Sequence, residues 1–209
     1  HIRRGSITDT MRKSELVAAF EENQLLTVET CQIVNSSAEF LNRDLIEGYF
    51  KSKGITITKE NQQFLLESAG ITYLDKRNRK VRCTFGGLIV FCDSNNICIP
   101  NNAIRIINKV NENYPRSIMI NGNLLDMIDK TEKEMYTLLP RGYPVFAVME
   151  AVKNSVMYRE YSIIDRLIEI ILTKNSVIII SPGQLVAKGN MFGDMGSVSY
   201  THLRAHETE

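Results

Sequence analysis

Two residues in the segment Glu150-Ala-Val-Lys-Asn154 have the types and spacing that suit chemistry. Residues four apart in a helix are surface neighbours. A carboxylate at Glu150 can take a proton from water. A carboxamide oxygen at Asn154 can join a Mg²⁺ shell already rich in phosphate oxygens, because Mg²⁺ in nucleotide sites keeps its waters and takes few protein ligands. A positioned general base contributes on the order of 10²–10⁴ in rate. An ordinary solvated helix face carries the same two residues. Other candidates are weaker. Asp126 and Asp129 share one helix face and read as solvated. Arg159 can reach a phosphate or pair with an acid. Cys31, Cys83, Cys92 and Cys98 include no Cys-x-x-Cys and lie near no histidine, so they read as buried thiols of a reducing cytoplasm.

Charge points to a second chemistry. The net charge is +1, which names no partner by itself. Local runs say more. Residues 3–13 carry Arg3, Arg4, Arg12 and Lys13 against Asp9, and residues 75–82 carry five bases against Asp75. Clustered cations are the electrostatic footprint of nucleic-acid binding. A solvated turn between packed elements explains the second run equally well. Hydrophobic content of 44% with 23% charged residues is that of a globular chain. No apolar run approaches 18 residues, so no membrane span is expected.

The elements that must position these groups follow from local signals. A helix is expected from about 14 to 23. Asn42 caps a helix over 43–53, with Leu45, Ile46, Tyr49 and Phe50 on one face, and Gly54 closes it. Thr58 opens another helix carrying Phe64, Leu65 and Leu66, which Gly70 ends. Two short helices before a basic turn and a strand resemble a winged-helix arrangement. Gly86 and Gly87 permit close packing or a sharp turn. Residues 88–92 read as a short buried strand and 103–109 as a second strand. A helix over about 123–138 has Leu124, Leu125, Ile128, Met135 and Leu138 as its core stripe. Pro140, Gly142 and Pro144 place a domain boundary near 140. Beyond it, Val145, Val148, Val152 and Val156 bury one face of a helix over about 145–158, with Glu150 and Asn154 roughly opposite. The runs 166–172 and 177–180 form a hairpin that ends in Ser181-Pro-Gly183.

The order helix, hairpin, glycine-bearing turn resembles the ATP-binding fold of the GHKL superfamily, shared by gyrase, histidine kinases and MutL. The nearer resemblance is to its branch named for the RecG helicase C-terminus. It rests on Tyr143-Pro144, Glu150-Ala151-Val152-Lys153-Asn154-Ser155, Tyr158-Arg159-Glu160-Tyr161-Ser162, Ile168-Glu169-Ile170 and Ser181-Pro182-Gly183. Upstream, Ile2-Arg3-Arg4-Gly5-Ser6 is similar to the closing strand of a Schlafen/AlbA-type DNA-binding domain. Thr84-Phe85-Gly86-Gly87-Leu88 and Gly122-Asn123-Leu124-Leu125 are similar to two further segments of the same family. Two positions depart from the pattern. Ser181 stands where active members carry an adenine-binding Asp, and Tyr158 and Glu160 replace the His and Asp of a His-Arg-Asp-Tyr segment.

The resemblance implies an α+β chain, a mixed helical and β connecting domain followed by the start of a GHKL-like α/β sandwich. Residues 1–13 would be the remnant of a Schlafen/AlbA-type domain contacting DNA through Arg3 and Arg4. Residues 14–140 would be the connecting domain and 141–197 the opening of the ATPase domain. The implied function is an ATP-responsive, DNA-binding transcriptional regulator of the cytoplasm, acting as a homodimer. ATP and Mg²⁺ would bind in the intact parent protein, with Glu150 as general base of an ATPase, Asn154 as Mg²⁺ ligand, and Ser181 and Gly183 at the adenine loop. The alternative is a non-catalytic DNA-binding or dimerisation module with a degenerate nucleotide site. A helicase is not expected, since no Gly-Lys-Ser/Thr phosphate loop is present. Residues 198–209 resemble the translation of a transposase adapter used in short-read library preparation, so His202 and His206 are given no role. The chain, starting at His1, reads as an internal fragment.

Overall fold

A computed structural model describes the backbone of residues 2–4, 7–9, 27–75, 78–183 and 198–204, and the side chains of 27–75 and 78–183. The helix expected over 14–23 lies outside the described residues. The fold is α+β, in two compact units that divide between Phe91 and Cys92.

In the first unit, β1 (Ile2–Arg4) pairs antiparallel with β2 (Ile7–Asp9). α1 spans Arg43–Ser52. Asn42 starts it as expected: its Oδ1 accepts the Asp44 N–H at 3.0 Å and the Leu45 N–H at 3.2 Å. These are two of the four donors that a helix start leaves without partners. Ile46 and Phe50 are buried, while Tyr49 lies at the surface with its ring edge-on to Phe50 and Phe91. Gly54, at φ 72°, ends the helix. α2 spans Gln62–Ser68. Thr58 and Asn61 exchange bonds ahead of it, the Thr58 N–H to Asn61 Oδ1 at 2.7 Å and the Asn61 N–H to Thr58 Oγ1 at 3.4 Å. That exchange moves the start later than Thr58. Of its three apolar residues only Leu66 is buried, and Phe64 is 71% exposed.

β3 (Thr72–Asp75) and β4 (Lys80–Cys83) form an antiparallel hairpin, and α3 (Phe85–Phe91) follows. The strand expected over 88–92 is thus a helix. A short apolar run does not distinguish a buried strand from a buried helix turn. Thr84 decides it locally, because its Oγ1 accepts the Gly87 N–H at 2.9 Å and starts a helix.

The second unit is a five-stranded sheet in the order β6-β5-β7-β8-β9. Its strands are β5 (Ala103–Asn108), β6 (Ser117–Asn121), β7 (Ile168–Leu172), β8 (Ser176–Pro182) and β9 (Val198–Arg204). β5 and β7 run parallel and the other pairs antiparallel. α4 (Leu124–Leu138) and α5 (Val145–Met157) supply the helical layer. Alternation along the strands sends Ile104, Ile106, Ile168, Ile170, Leu172, Val177 and Ile179 into one core with Met127, Met135, Val148, Met149 and Val152. Asn123 caps α4, its Oδ1 accepting the Asp126 N–H at 2.9 Å. Met127 and Thr131 join Met135 and Leu138 on the buried stripe, whereas Leu125 is exposed.

The boundary expected near 140 falls inside this unit. β5 and β6 precede it, β7 and β8 follow it, and all four share one sheet and one core. The Pro140–Pro144 punctuation makes a helix–helix turn, with Gly142 at φ 88°. Turn residues report a change of direction, and only the strand pairing reports which domain a segment joins. β9 consists of residues assigned above to adapter sequence. An open sheet edge accepts an extended segment through main-chain bonds, whatever its side chains, so the pairing describes the β8 edge rather than the origin of 198–204. Among the described residues no helix is long and apolar enough to cross a membrane. No disulfide forms among them; Cys83 and Cys92 are buried, and Cys31 and Cys98 half-buried.

Candidate functional site

α5 carries the candidate pair. Its valines, spaced three to four apart, anchor it to the sheet, and Val148, Met149 and Val152 are fully buried. This anchoring turns Glu150 and Asn154 outward, and both are exposed. Lys153 Nζ stands 3.6 Å from Glu150 Oε1. Both side chains are about half exposed, and such pairs contribute about 0–1 kcal/mol, so the carboxylate can leave the lysine for another partner at little cost.

The turn after the hairpin reaches the C-terminal end of α5. Ser181 Oγ donates to the Ser155 carbonyl at 2.8 Å, and the Glu160 N–H donates to the Pro182 carbonyl at 2.8 Å. Ser181 is buried at 6% exposure. Gly183 is buried beside Glu160 and Tyr158, and its φ lies outside the left-handed region. The structure therefore brings Ser155, at the end of α5, against Ser181, while Asn154 stands on the exposed face of the helix. Glu150 is one turn back along the same face. Arg3 and Arg4 belong to β1 of the other unit, and their side chains lie outside the described residues.

Arg159 pairs with no acid among the described residues. Its Nη1 donates to the Asn101 carbonyl at 3.2 Å and its Nη2 to the Arg166 carbonyl at 2.6 Å. The guanidinium lies 5.2 Å from the Tyr161 ring centre. Burial pulls its pKa down, and Tyr161 partly opposes this. Only 7% of the residue is exposed, so Arg159 clamps the segments before β5 and β7 together. Arg159→Met leaves two carbonyls without donors, each costing about 1–3 kcal/mol. Removal of a buried charge recovers part of that, so we expect a net loss of roughly 2 kcal/mol. The midpoint of urea unfolding measures it.

Residues not singled out by the sequence reading line the opposite face of the sheet. Arg105 on β5 and Glu169 on β7 stand in parallel register and form an ion pair. They border a cleft of about 470 Å³ that also takes in Asn101, Asp165 and Arg166. Period-two alternation turns Ile180 and Pro182 toward this cleft and Ser181 toward α5. The cleft thus lies across the sheet from Glu150. A signal was available in the sequence: Arg105 and Glu169 interrupt otherwise apolar strand runs.

The chain matches no family model. A comparison with curated proteins finds no match. Among solved structures it is similar to the DIP2311 protein from Corynebacterium diphtheriae, at 16% identity and a TM-score of 0.49. The similarity covers 90% of this chain and 33% of that one, so the chain spans about a third of that protein's length.

Proposed function

We propose that this chain belongs to an ATP-responsive, DNA-binding transcriptional regulator of the cytoplasm, in which Mg-ATP lies on the exposed face of α5. One observation carries the reading. Asn154 and Glu150 face outward one helical turn apart, on a helix whose Ser155 is tied to the Ser181-Pro-Gly183 turn. The donor set fits the group. One neutral oxygen, from Asn154, suits a Mg²⁺ whose other positions are phosphates and water. Glu150 would act as the general base toward the attacking water. Ser181 and Gly183 would form the adenine loop. In the homodimer proposed for the intact protein, bound nucleotide favours one of two arrangements and thereby changes DNA affinity at Arg3 and Arg4.

Asn154→Ala in the intact protein is expected to weaken Mg-ATP binding on the order of 100-fold, the upper range for losing a group that organises a metal. Isothermal titration with and without Mg²⁺ measures it. Equal affinity in the two proteins overturns the reading.

The burial of Ser181 favours the second reading. Its hydroxyl proton is committed to Ser155, and its oxygen is a weaker and less selective partner for adenine than a carboxylate. On that reading the α5–hairpin scaffold serves DNA binding or dimerisation without a working nucleotide site. Mg-dependent ATP turnover by the wild type rules it out.

A further inference from the structure

The basic run at 75–82 remains unused by the nucleotide reading. Of its described residues, Asp75 ends β3 and Lys80 to Arg82 lie in β4, which forms one wall of an open cleft of about 380 Å³. The opposite wall is the 33–40 segment. The two walls are tied by specific bonds. Ser36 Oγ donates to the Ile33 carbonyl at 2.6 Å and accepts the Cys83 N–H at 2.9 Å, and the Ile33 N–H donates to the Cys83 carbonyl at 2.9 Å. Ser36 and Cys83 are both buried. The cleft is therefore held open by its own scaffold.

Its lining combines two kinds of group. Lys80 and Arg82 supply cations from β4, while Val34 and Phe40 supply apolar surface from the other wall. Phe40 is 47% exposed. Tyr73 is 46% exposed and stands directly opposite Arg82 in the hairpin register. Arg79 holds the tip at φ 56°, with its N–H on the Asp75 carbonyl at 2.7 Å. The acids on these elements are Asp75, opposite Lys80, and Glu39 in the 38–40 turn. Among the described residues of these elements the cations Arg79, Lys80 and Arg82 outnumber these two acids. Among the described residues no carboxylate forms an ion pair with Lys80 or Arg82.

Exposed rings cost free energy in water, and so does a concentration of like charge. A ligand that satisfies both has flat apolar faces and regularly spaced anionic groups. Single-stranded nucleic acid has both, because its unpaired bases stack on aromatic rings while its backbone tracks cations. A duplex fits less well. Its bases are already stacked, and the neighbouring α2 offers Phe64 and Glu67, without a cation, to a groove. We infer that the cleft between β4 and the 33–40 turn is a binding site for single-stranded nucleic acid, with a base against Phe40 and phosphates on Lys80 and Arg82. This site uses none of the residues of the ATP site and neither Arg3 nor Arg4.

The test uses the full chain without nucleotide, with fluorescence anisotropy on a labelled single-stranded oligonucleotide, its duplex, and heparin as a polyanion lacking bases. Lys80→Glu with Arg82→Glu is expected to weaken single-strand binding at least about tenfold. The slope of log affinity on log salt should become shallower by roughly 1.4, the change for two lost phosphate contacts on a single strand. Phe40→Ala is expected to weaken binding about tenfold with the salt slope unchanged, the signature of a lost base stack. Phe40→Leu, which keeps the apolar contact, should bind as weakly as Phe40→Ala and unfold like wild type. Lys174→Glu, in the other unit, is the charge control and should bind like wild type.

Wild-type affinity in the Lys80/Arg82 variant overturns the site. Heparin binding as tightly as the oligonucleotide, with no effect of Phe40→Ala, reduces it to bulk charge and also overturns it. Tighter duplex binding that ignores Phe40 overturns the single-strand assignment. Binding lost only in Arg3→Ala/Arg4→Ala overturns this inference and leaves the regulator reading standing, while a failed Asn154→Ala test leaves this inference untouched.

Discussion

Gly87→Ala is expected to destabilise the first unit by more than about 3 kcal/mol, the severe end for a single substitution. A methyl group at 87 would press on the Ile71 backbone, standing 2.9 Å from its carbonyl carbon and 3.1 Å from its Cα. Neither atom can rotate aside. The Ile71 carbonyl also accepts the Thr84 N–H at 3.0 Å and the Thr84 hydroxyl at 3.2 Å. Moving it would loosen the residue that starts α3. Two other glycines set the scale. At Gly86 the added methyl would meet the Glu29 carbonyl oxygen at 3.2 Å, a milder crowding. Gly48, inside α1, has nothing within 4 Å, so Gly48→Ala should stabilise by about 0.5–1 kcal/mol through helix propensity. Thermal unfolding of the three variants should rank them Gly48→Ala above wild type, Gly86→Ala below it, and Gly87→Ala lowest. A Gly87→Ala protein as stable as wild type would mean that α3 does not approach Ile71 this closely.

On the proposed nucleotide reading, Glu150→Gln in the intact protein is expected to lower Mg-ATP turnover on the order of 10²–10⁴-fold, with ATP affinity nearly unchanged. The amide keeps the size and exposure of the side chain and removes its ability to take a proton. Lys153→Ala supplies the contrast. Its ion pair with Glu150 is half exposed and contributes less than about 1 kcal/mol, so turnover should change only a few-fold. Single-turnover hydrolysis separates the two effects from product release. Equal turnover in Glu150→Gln and wild type would remove Glu150 from the chemistry even if Asn154 proved to bind Mg²⁺.

Much of both units was legible because the signals are local. Asn42 and Asn123 announce helix starts through their own side chains, and Gly54 announces an end. The valines of α5 repeat at the helical period, which is enough to turn Glu150 and Asn154 outward. The β7–β8 hairpin follows from two apolar runs around a polar turn. Residues 88–92 were misread because their apolar content suits a buried strand or a buried helix alike. The Thr84 cap and the approach to Ile71 settle the matter, and the second of these is a contact between segments distant along the chain.

By itself the sequence determined where α1, α4 and α5 begin and end, which face of α5 is wet, and where the cations cluster. Each is a property of residues within a turn or two of one another. Tertiary structure alone decided four other matters. It joined β5 to β7 across the Pro140–Pro144 turn, so the units divide after Phe91. It buried Ser181 against Ser155 and gave Arg159 two carbonyls in place of an acid. It placed Phe40 across a cleft from Lys80 and Arg82. Strand pairing and burial depend on which distant segment supplies the partner, and that choice is made by closing one core at least free energy rather than by local preference.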